Sequence, residues 1–250
     1  MFTETFYNIS VENRRKIENK HPEDIHIIMN TYNTQMELLQ LYLLVLDSDP
    51  YVEPDEFSSM IFTAIYKNYI SLYSALDLTL QGFYGAARIL FRNVYEFLII
   101  SKAVAIRKDI GLLEKWKNGD DISLRKEVFS RVKKPKSLEM QNLWKTLCEF
   151  THGTIYSQQV KLEYNEIKNE VKFNFVCMKM LLDMNYHVLN SYAANSSIQY
   201  YAKFMSDLHE TDTLKNKKKE IRTQISSIRK TLLKEPKRVI LDFISKWEFK

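Results

Sequence analysis

The chain has 250 residues, of which 45% are hydrophobic, and a net charge of +5; these values fit a globular protein with one large domain or a domain with an appendage. Only five glycines and five prolines are present, which leaves too little turn chemistry for a β-sandwich or a β-barrel. Two cysteines, Cys148 and Cys177, are too few for a disulfide framework, and their apolar helical surroundings predict inert core thiols.

The N-terminal stretch MFTETFYNIS lacks the basic start and apolar run of a secretory signal. The longest apolar stretches, such as MELLQLYLLVL, are too short or too interrupted to span a bilayer. We therefore expect a cytoplasmic protein with no membrane partner.

Two long helices are predicted in the first third of the chain. Pro22 suits the first position of a helix that runs to Asp47, and apolar residues recur along it at helical spacing. The stretch DSDPYVEP then interrupts the chain. A second helix is predicted from Pro54 to Gly82, where the glycine suits a helix C-terminus.

The third helix, about Tyr84 to Arg107, is apolar nearly all round, which predicts a central position. A shorter helix is expected near Ile122–Val132, and Ser137 is predicted to cap another helix that ends at Gly153. The stretch SQQVKLEYNEIK is compatible with a helix or with a short extended segment. A long helix, about Glu166 to Ala193, follows.

Beyond Ala194 the chain is predicted to form further helices and becomes strongly basic. Residues 215–238 contain ten Lys and Arg against two Glu, a net charge of +8, so the other residues sum to −3. Such a run is typical either of a solvated helix face or of a phosphate-binding surface. The predicted architecture is therefore an all-α bundle of four to five long helices over residues 1–194, followed by a basic helical appendage over residues 195–250.

The sequence signatures of common catalytic and metal sites are missing. There is no Gly-rich phosphate loop, no HExxH, no CxxC pair and no GxSxG. The five histidines show no ligand-like pairing, so we predict no metal and no cofactor.

The most distinctive stretch is GAARILFRNVYEFLI, in which Arg88, Arg92 and Glu96 recur every four residues on one face of an otherwise apolar helix. Charges within an apolar helix are costly unless they are paired. One interpretation is a structural pair, in which Arg92 and Glu96 neutralise each other. The other is a pocket, in which arginine binds a phosphate or a carboxylate. Asn93 is either a further polar contributor or an ordinary surface residue.

His152 is the second candidate, in the stretch LCEFTHGTIYS. A histidine in the last turn of a helix, followed by Gly153, is favoured by the helix dipole and needs no function. The alternative is general acid–base catalysis, which suits a side chain that titrates near neutral pH.

Together, GAARILFRNVYEF and, after a long spacer, LWKTLCEFTHG resemble a group of bacterial helical proteins with an Arg-x-x-x-Glu helix and a later His-Gly. These proteins look related to the HEPN superfamily (higher eukaryote and prokaryote nucleotide-binding). The resemblance covers roughly residues 57–193. It implies a helical bundle that dimerises and, as in many HEPN proteins, a metal-independent ribonuclease of toxin–antitoxin, phage-defence or CRISPR systems.

In HEPN ribonucleases an arginine holds the scissile phosphate and a histidine assists attack by the RNA 2′-hydroxyl. The resemblance therefore gives phosphate binding to Arg92, acid–base catalysis to His152 and the orientation of either one to Glu96. It makes substrate-binding residues of Arg88, Asn93 and Lys145.

The chain departs from the family pattern in two places. Glu96 and Phe97 stand where the histidine of the family would follow Arg92-Asn93, and Lys145 stands seven residues before His152 in place of an arginine. A working site would therefore have to bring Arg92, Glu96 and His152 together from two helices, as an antiparallel bundle allows.

The sequence thus predicts an endoribonuclease or a nucleic-acid-directed toxin of bacterial defence. RNA, a second copy of the chain in a homodimer, and a protein neutraliser or defence partner are its expected partners. The alternative is a non-catalytic helical module that binds a partner or senses a nucleotide and uses Arg92 and Glu96 as a structural pair.

Overall fold

The computed structural model describes residues 2–47, 56–132, 136–149 and 164–195, together with 216, 219–220, 222–227 and 230. All regular structure in these residues is helical, which confirms the all-α prediction. The helices are α1 (Phe2–Lys20), α2 (Pro22–Asp47), α3 (Glu56–Leu80), α4 (Tyr84–Arg107), α5 (Ile110–Asn118), α6 (Lys136–Glu149) and α7 (Tyr164–Asn195). A π-helical turn, Leu124–Val128, and a 3-10 turn, Phe129–Arg131, lie between α5 and α6.

Helix α4 lies at the centre of the arrangement. It packs on α3, α6 and α7, and more lightly on α5. Its side chains Phe91, Val94, Tyr95 and Leu98 are fully buried, as its nearly all-round apolar sequence predicts. Helix α7 also packs on α2 and α3, while α1 contacts α2, α3 and α7. No helix in the described part of the chain combines the length and apolar character needed to cross a bilayer.

The turn between α3 and α4 closes around Gly82, as the sequence predicts. The backbone N–H of Gly82 donates to Thr79 O (3.0 Å), and that of Phe83 donates to Leu78 O (2.8 Å). This pair of bonds is a Schellman motif, which requires a left-handed residue, and Gly82 has φ +89°. The motif reverses the chain within a few residues and lays α4 along α3.

Two helices in the structure are missing from the sequence-based prediction. In α1, of the residues whose burial is described, only Asn13 and Ile17 are buried, so no apolar stripe marks it. Helix α5 has nine residues and depends on capping: the Asp109 carboxylate accepts the Leu112 N–H at 3.0 Å, and Gly119 ends the helix with φ +75°.

One local prediction is confirmed only in part, and another is wrong. The helix expected near Ile122–Val132 is instead a π-helical turn followed by a 3-10 turn. Ser137 does not cap α6, because α6 already begins at Lys136. The Ser137 hydroxyl instead donates to Phe129 O at 2.8 Å and ties α6 to the preceding turn.

A buried polar layer connects α2, α3 and α7. The Gln35 amide donates to Leu182 O (3.1 Å) and accepts from the Tyr69 hydroxyl (2.8 Å). Asn68 donates to Asn185 Oδ1 at 3.2 Å in the same region. Because buried polar groups must be paired, these bonds fix how the three helices slide and rotate against one another.

Part of the basic C-terminal segment contacts α2. Residues 222–227 are helical, Ile225 is buried, and the Gln224 amide donates to Thr34 Oγ1 at 2.8 Å. The predicted break after Asp47, the stretch 157–163, and the helix end at His152 and Gly153 lie outside the described residues.

A chain of polar contacts joins the start of α2 to α7. Lys179 Nζ, which is almost fully buried, donates to one oxygen of Asp24, and His21 Nδ1 lies 3.3 Å from the other. His21 Nε2 lies 3.1 Å from the hydroxyl of Tyr164. The hydrogen bond from His21, and then the bond and charge of Lys179, lower the pKa of Asp24 to about 2.

Gly82→Ala should destabilise the protein by about 2–3 kcal/mol, because a left-handed residue with a Cβ costs about 1–2 kcal/mol before any clash. The added Cβ would lie 2.6 Å from Asn13 Nδ2 and 3.1 Å from Ile167 Cδ1. Gly119→Ala is the matched control, since φ is also positive there and no atom lies within 4 Å. Urea unfolding measures both, and equal losses would contradict the close packing at Gly82.

Asp24→Asn should cost about 1–2 kcal/mol at pH 5, and the cost should shrink as the pH falls from about 4 towards 2. The folded-state pKa of Asp24 is lowered from 3.8 to about 2, so its contribution is present above the ordinary value and is lost as the carboxylate protonates. Urea titrations across this range compare the variant with the wild type. Asp121→Asn, at an exposed position, is the control, and a pH-independent gap for Asp24→Asn would refute the assignment.

Candidate functional site

Arg92 and Glu96 form an ion pair on α4 at the edge of the contact with α6. Arg92 Nε donates to Glu96 Oε1 at 2.9 Å, and about a quarter of each side chain is exposed. The indole N–H of Trp144 on α6 donates to the same oxygen at 2.8 Å. Glu96 therefore joins the pair to α6 while leaving it partly open to solvent.

Neighbouring contacts hold α6 in this position. Trp144 packs edge to face on Phe129, with ring centroids 6.3 Å apart. The buried Tyr95 hydroxyl donates to Met140 O at 3.1 Å, one turn before Trp144. Leu143 and Leu147 are buried in the core. The Glu96–Trp144 bond is thus part of a packed interface and not an isolated surface contact.

Cys148 lies one turn beyond Trp144 and close to the ion pair. Burial raises the pKa of its thiol, and Arg92 lowers it while Glu96 raises it, which places all three groups within electrostatic range. Cys177 is fully buried on α7, and burial raises the pKa of its thiol to about 12. Both cysteines are buried and neither forms a disulfide, so their predicted core positions are confirmed.

His152, the predicted acid–base residue, lies outside the described residues, which end at Glu149 in this part of the chain.

Arg88 occupies a different environment from Arg92. It is 2% exposed, and its Nε donates to Asn174 Oδ1 at 2.9 Å while its Nη2 donates to Glu170 Oε2 at 2.7 Å. Its guanidinium also lies over the rings of Phe173 and Tyr84, at 4.6 Å and 5.3 Å from their centroids. Arg88 thus packs α4 on α7, and in this structure its charge is not presented to a ligand.

Helical geometry explains why Arg88 and Arg92 separate. A step of four residues advances about 40° beyond a full turn of an α-helix. Two such steps carry the row from Arg88, on the α7 side, to Glu96, on the α6 side. The shared face predicted from the spacing is therefore a slanted row that serves two interfaces.

The other predicted binding residues lie on the surface. Asn93 is exposed beside Arg92 on α4, and Lys145 is exposed beside Trp144 on α6. The sequence-based prediction overlooked two important side chains, Trp144 and Asn174. An indole N–H in a helix requires a partner, but nothing in one sequence identifies Glu96, 48 residues earlier, as that partner.

No group of three or more His, Cys, Asp or Glu arranged to hold a metal ion occurs among the residues that the structure describes. No protein-family model, curated protein or solved structure matches the chain. The function proposed for the site therefore rests on its geometry and on the resemblance of its motifs.

Arg88→Met should lower the free energy of unfolding by about 3 kcal/mol. The change removes a buried cation and leaves the fully buried Asn174 without one of its partners and Glu170 without its charge pair. Combining it with Glu170→Gln should recover part of the loss, which a double-mutant cycle in urea would measure. Arg15→Met, at an exposed position on α1, should cost under about 0.5 kcal/mol. Equal effects at the two arginines would contradict the structural role of Arg88.

Proposed function

We propose that the chain is a HEPN-like, metal-independent endoribonuclease. The observation that carries the proposal is the Arg92–Glu96 pair, which is partly exposed and held by Trp144 beside the end of α6. The motif resemblance pairs this arginine with His152, which lies outside the described residues.

The reaction needs no group beyond these side chains and the RNA. The Nη edge of Arg92 binds the oxygens of the scissile phosphate and stabilises the charge that grows on them. His152 accepts the proton of the 2′-hydroxyl as the 2′-oxygen attacks phosphorus. The bond from phosphorus to the 5′-oxygen breaks, and this oxygen takes up the proton that His152 accepted, relayed through solvent water. The products are a 2′,3′-cyclic phosphate and a free 5′-hydroxyl.

Glu96 acts as a positioning residue. Its Oε1 accepts from Arg92 Nε and from Trp144 Nε1, at 2.9 Å and 2.8 Å. Two donors on one oxygen restrict the rotamers of both partners. The guanidinium is therefore oriented before substrate arrives, which reduces the entropy lost on forming the productive complex.

The same proposal covers the cellular setting. The protein would be a HEPN-like bundle of four to five long helices that dimerises, and it would act as a toxin or an effector of phage defence. The helical structure of the described residues supports only the helical part of this proposal. In HEPN ribonucleases the site is usually completed by the same residues of a second chain, so Arg92 and His152 of a homodimer would line a shared cleft. A protein neutraliser or a defence partner would control such an activity.

One observation favours a second function. Glu96 Oε1 bonds α4 and α6 together, which is also what a purely structural pair would do. The chain would then be a non-catalytic helical module that binds a partner or senses a nucleotide. The two functions differ in what the loss of Arg92 does to activity.

Arg92→Ala and His152→Ala should each reduce the cleavage of single-stranded RNA by at least about 100-fold, the usual contribution of one acid–base or electrostatic group. The cleavage should persist in excess EDTA. Arg125→Ala and His26→Ala, at exposed positions on other surfaces, are the matched controls and should retain full activity. Mass spectrometry of the fragments should show 2′,3′-cyclic phosphate ends.

Arg92→Ala should leave the stability within about 1 kcal/mol of wild type, because the ion pair is partly exposed and Trp144 still donates to Glu96. A wild-type protein that leaves RNA intact as both monomer and dimer would remove the nuclease proposal. A large loss of stability in Arg92→Ala, together with that inactivity, would support the structural module.

A further inference from the structure

The basic C-terminal segment presents one organised face to solvent. Six exposed residues line a surface groove along it: Lys219, Arg222, Thr223, Ser226, Ser227 and Lys230. Their spacing of three, four and seven residues places them on one side of a helix. We call this set the cationic stripe.

The opposite side of the same segment faces the protein. Ile225 is buried, and Gln224 donates to Thr34 Oγ1 of α2 at 2.8 Å. At about 100° per residue these two positions lie across the helix from the centre of the cationic stripe. The contact of Gln224 with α2 therefore leaves the stripe on the solvent side of the segment.

The cations of the stripe have no ion-pair partner in the part of the chain that the structure describes. Lys219, Arg222 and Lys230 take part in none of the ion pairs formed between described residues. Glu220, the acidic residue among the described residues of this segment, lies on the side of Gln224, whose amide is 3.4 Å from its carboxylate. Unpaired like charges on one face repel one another, and an anionic ligand relieves that repulsion.

We propose that the cationic stripe binds the phosphate backbone of single-stranded RNA and so retains the substrate of the proposed nuclease. The inference rests on that proposed function. The three cations neutralise phosphates, and the hydroxyls of Thr223, Ser226 and Ser227 donate hydrogen bonds to phosphate oxygens between them. Lys219 and Lys230 are eleven residues apart, about 16 Å along a helix, so the stripe spans several nucleotides. Contacts to phosphate alone make this binding independent of base sequence.

The same face does not suit a lipid surface. A helix that lies on a membrane inserts large apolar side chains between the headgroups. Between its cations the stripe carries small hydroxyl side chains, and Ile225 is buried away from solvent. A polyanion with hydrogen-bond acceptors between its charges is the better match.

The test compares two triple variants of the full chain, each with a net charge lowered by three. One is Lys219→Gln with Arg222→Gln and Lys230→Gln. The control is Arg15→Gln with Lys67→Gln and Lys168→Gln, three exposed cations on other helices. Fluorescence anisotropy measures binding to a labelled 2′-O-methyl oligonucleotide, which keeps the phosphates but cannot be cut because its 2′-oxygen is blocked.

The stripe variant should bind at least tenfold more weakly than wild type. The slope of log K against log salt should fall in magnitude by about 2, since each lost phosphate contact removes about 0.7 for a single strand. The control variant should keep the wild-type affinity and slope.

Wild-type affinity and slope in the stripe variant would overturn the inference, as would stronger stripe-dependent binding to phosphatidylserine vesicles than to the oligonucleotide. Because the oligonucleotide cannot be cleaved, this result is independent of catalysis. Stripe-dependent binding by a protein that cuts no RNA would refute the nuclease and leave the RNA-binding surface in place. If the wild type cleaves RNA but the stripe variant binds as tightly as the wild type, the nuclease proposal stands and the RNA-binding role of the stripe is refuted.

Discussion

The side chain of Asn174 holds three helices at one point, and the position of the candidate site depends on it. Its amide donates to Thr79 Oγ1 (3.0 Å) at the end of α3 and to Tyr84 O (3.1 Å) at the start of α4. Its oxygen accepts from Arg88, one turn further along α4. Since Asn174 is fully buried, each of these bonds replaces a bond to water and none can be given up cheaply. These bonds fix where α4 begins and how it is rotated about its axis. Because Arg92 lies one turn beyond Arg88 on the same helix, they also fix the position of Arg92.

Long helices could be predicted from the sequence because their signals are local and repeated. The predicted bounds of α4 match the structure, and those of α7 differ by two residues at each end. The short helix α5 and the sparsely buried helix α1 could not be predicted from the sequence. Helix α5 depends on one cap, and α1 depends on a few contacts such as the ion pair between Arg14 and Asp77. Local patterns also cannot distinguish a regular helix from the π-helical and 3-10 turns before α6, where the packing of Phe129 and the Ser137 bond select the backbone.

The candidate site likewise has a part that could be predicted from the sequence and a part that could not. The row of charges on α4 is visible in the sequence, and the pairing of Arg92 with Glu96 follows from a spacing of four residues. The buried position of Arg88 could not be predicted from the sequence, because it depends on bonds to Glu170 and Asn174, which lie more than eighty residues away. The contribution of Trp144 is also non-local. One periodic row therefore contains a side chain committed to the core and a pair at its edge, and only the packing of α6 and α7 distinguishes them.

The polar layer of Gln35, Tyr69 and Asn68 has a consequence for biosynthesis. The partners of Gln35 and Asn68 on α7 lie 147 and 117 residues later in the chain. A ribosome that adds about 5–20 residues per second needs roughly 7 to 30 s to make the longer of these intervals. During this time the amides of α2 and α3 remain hydrated, because burying them unpaired would cost about 1–3 kcal/mol each. The layer can lose its water only after α7 has emerged from the ribosome, so the core is completed late in synthesis.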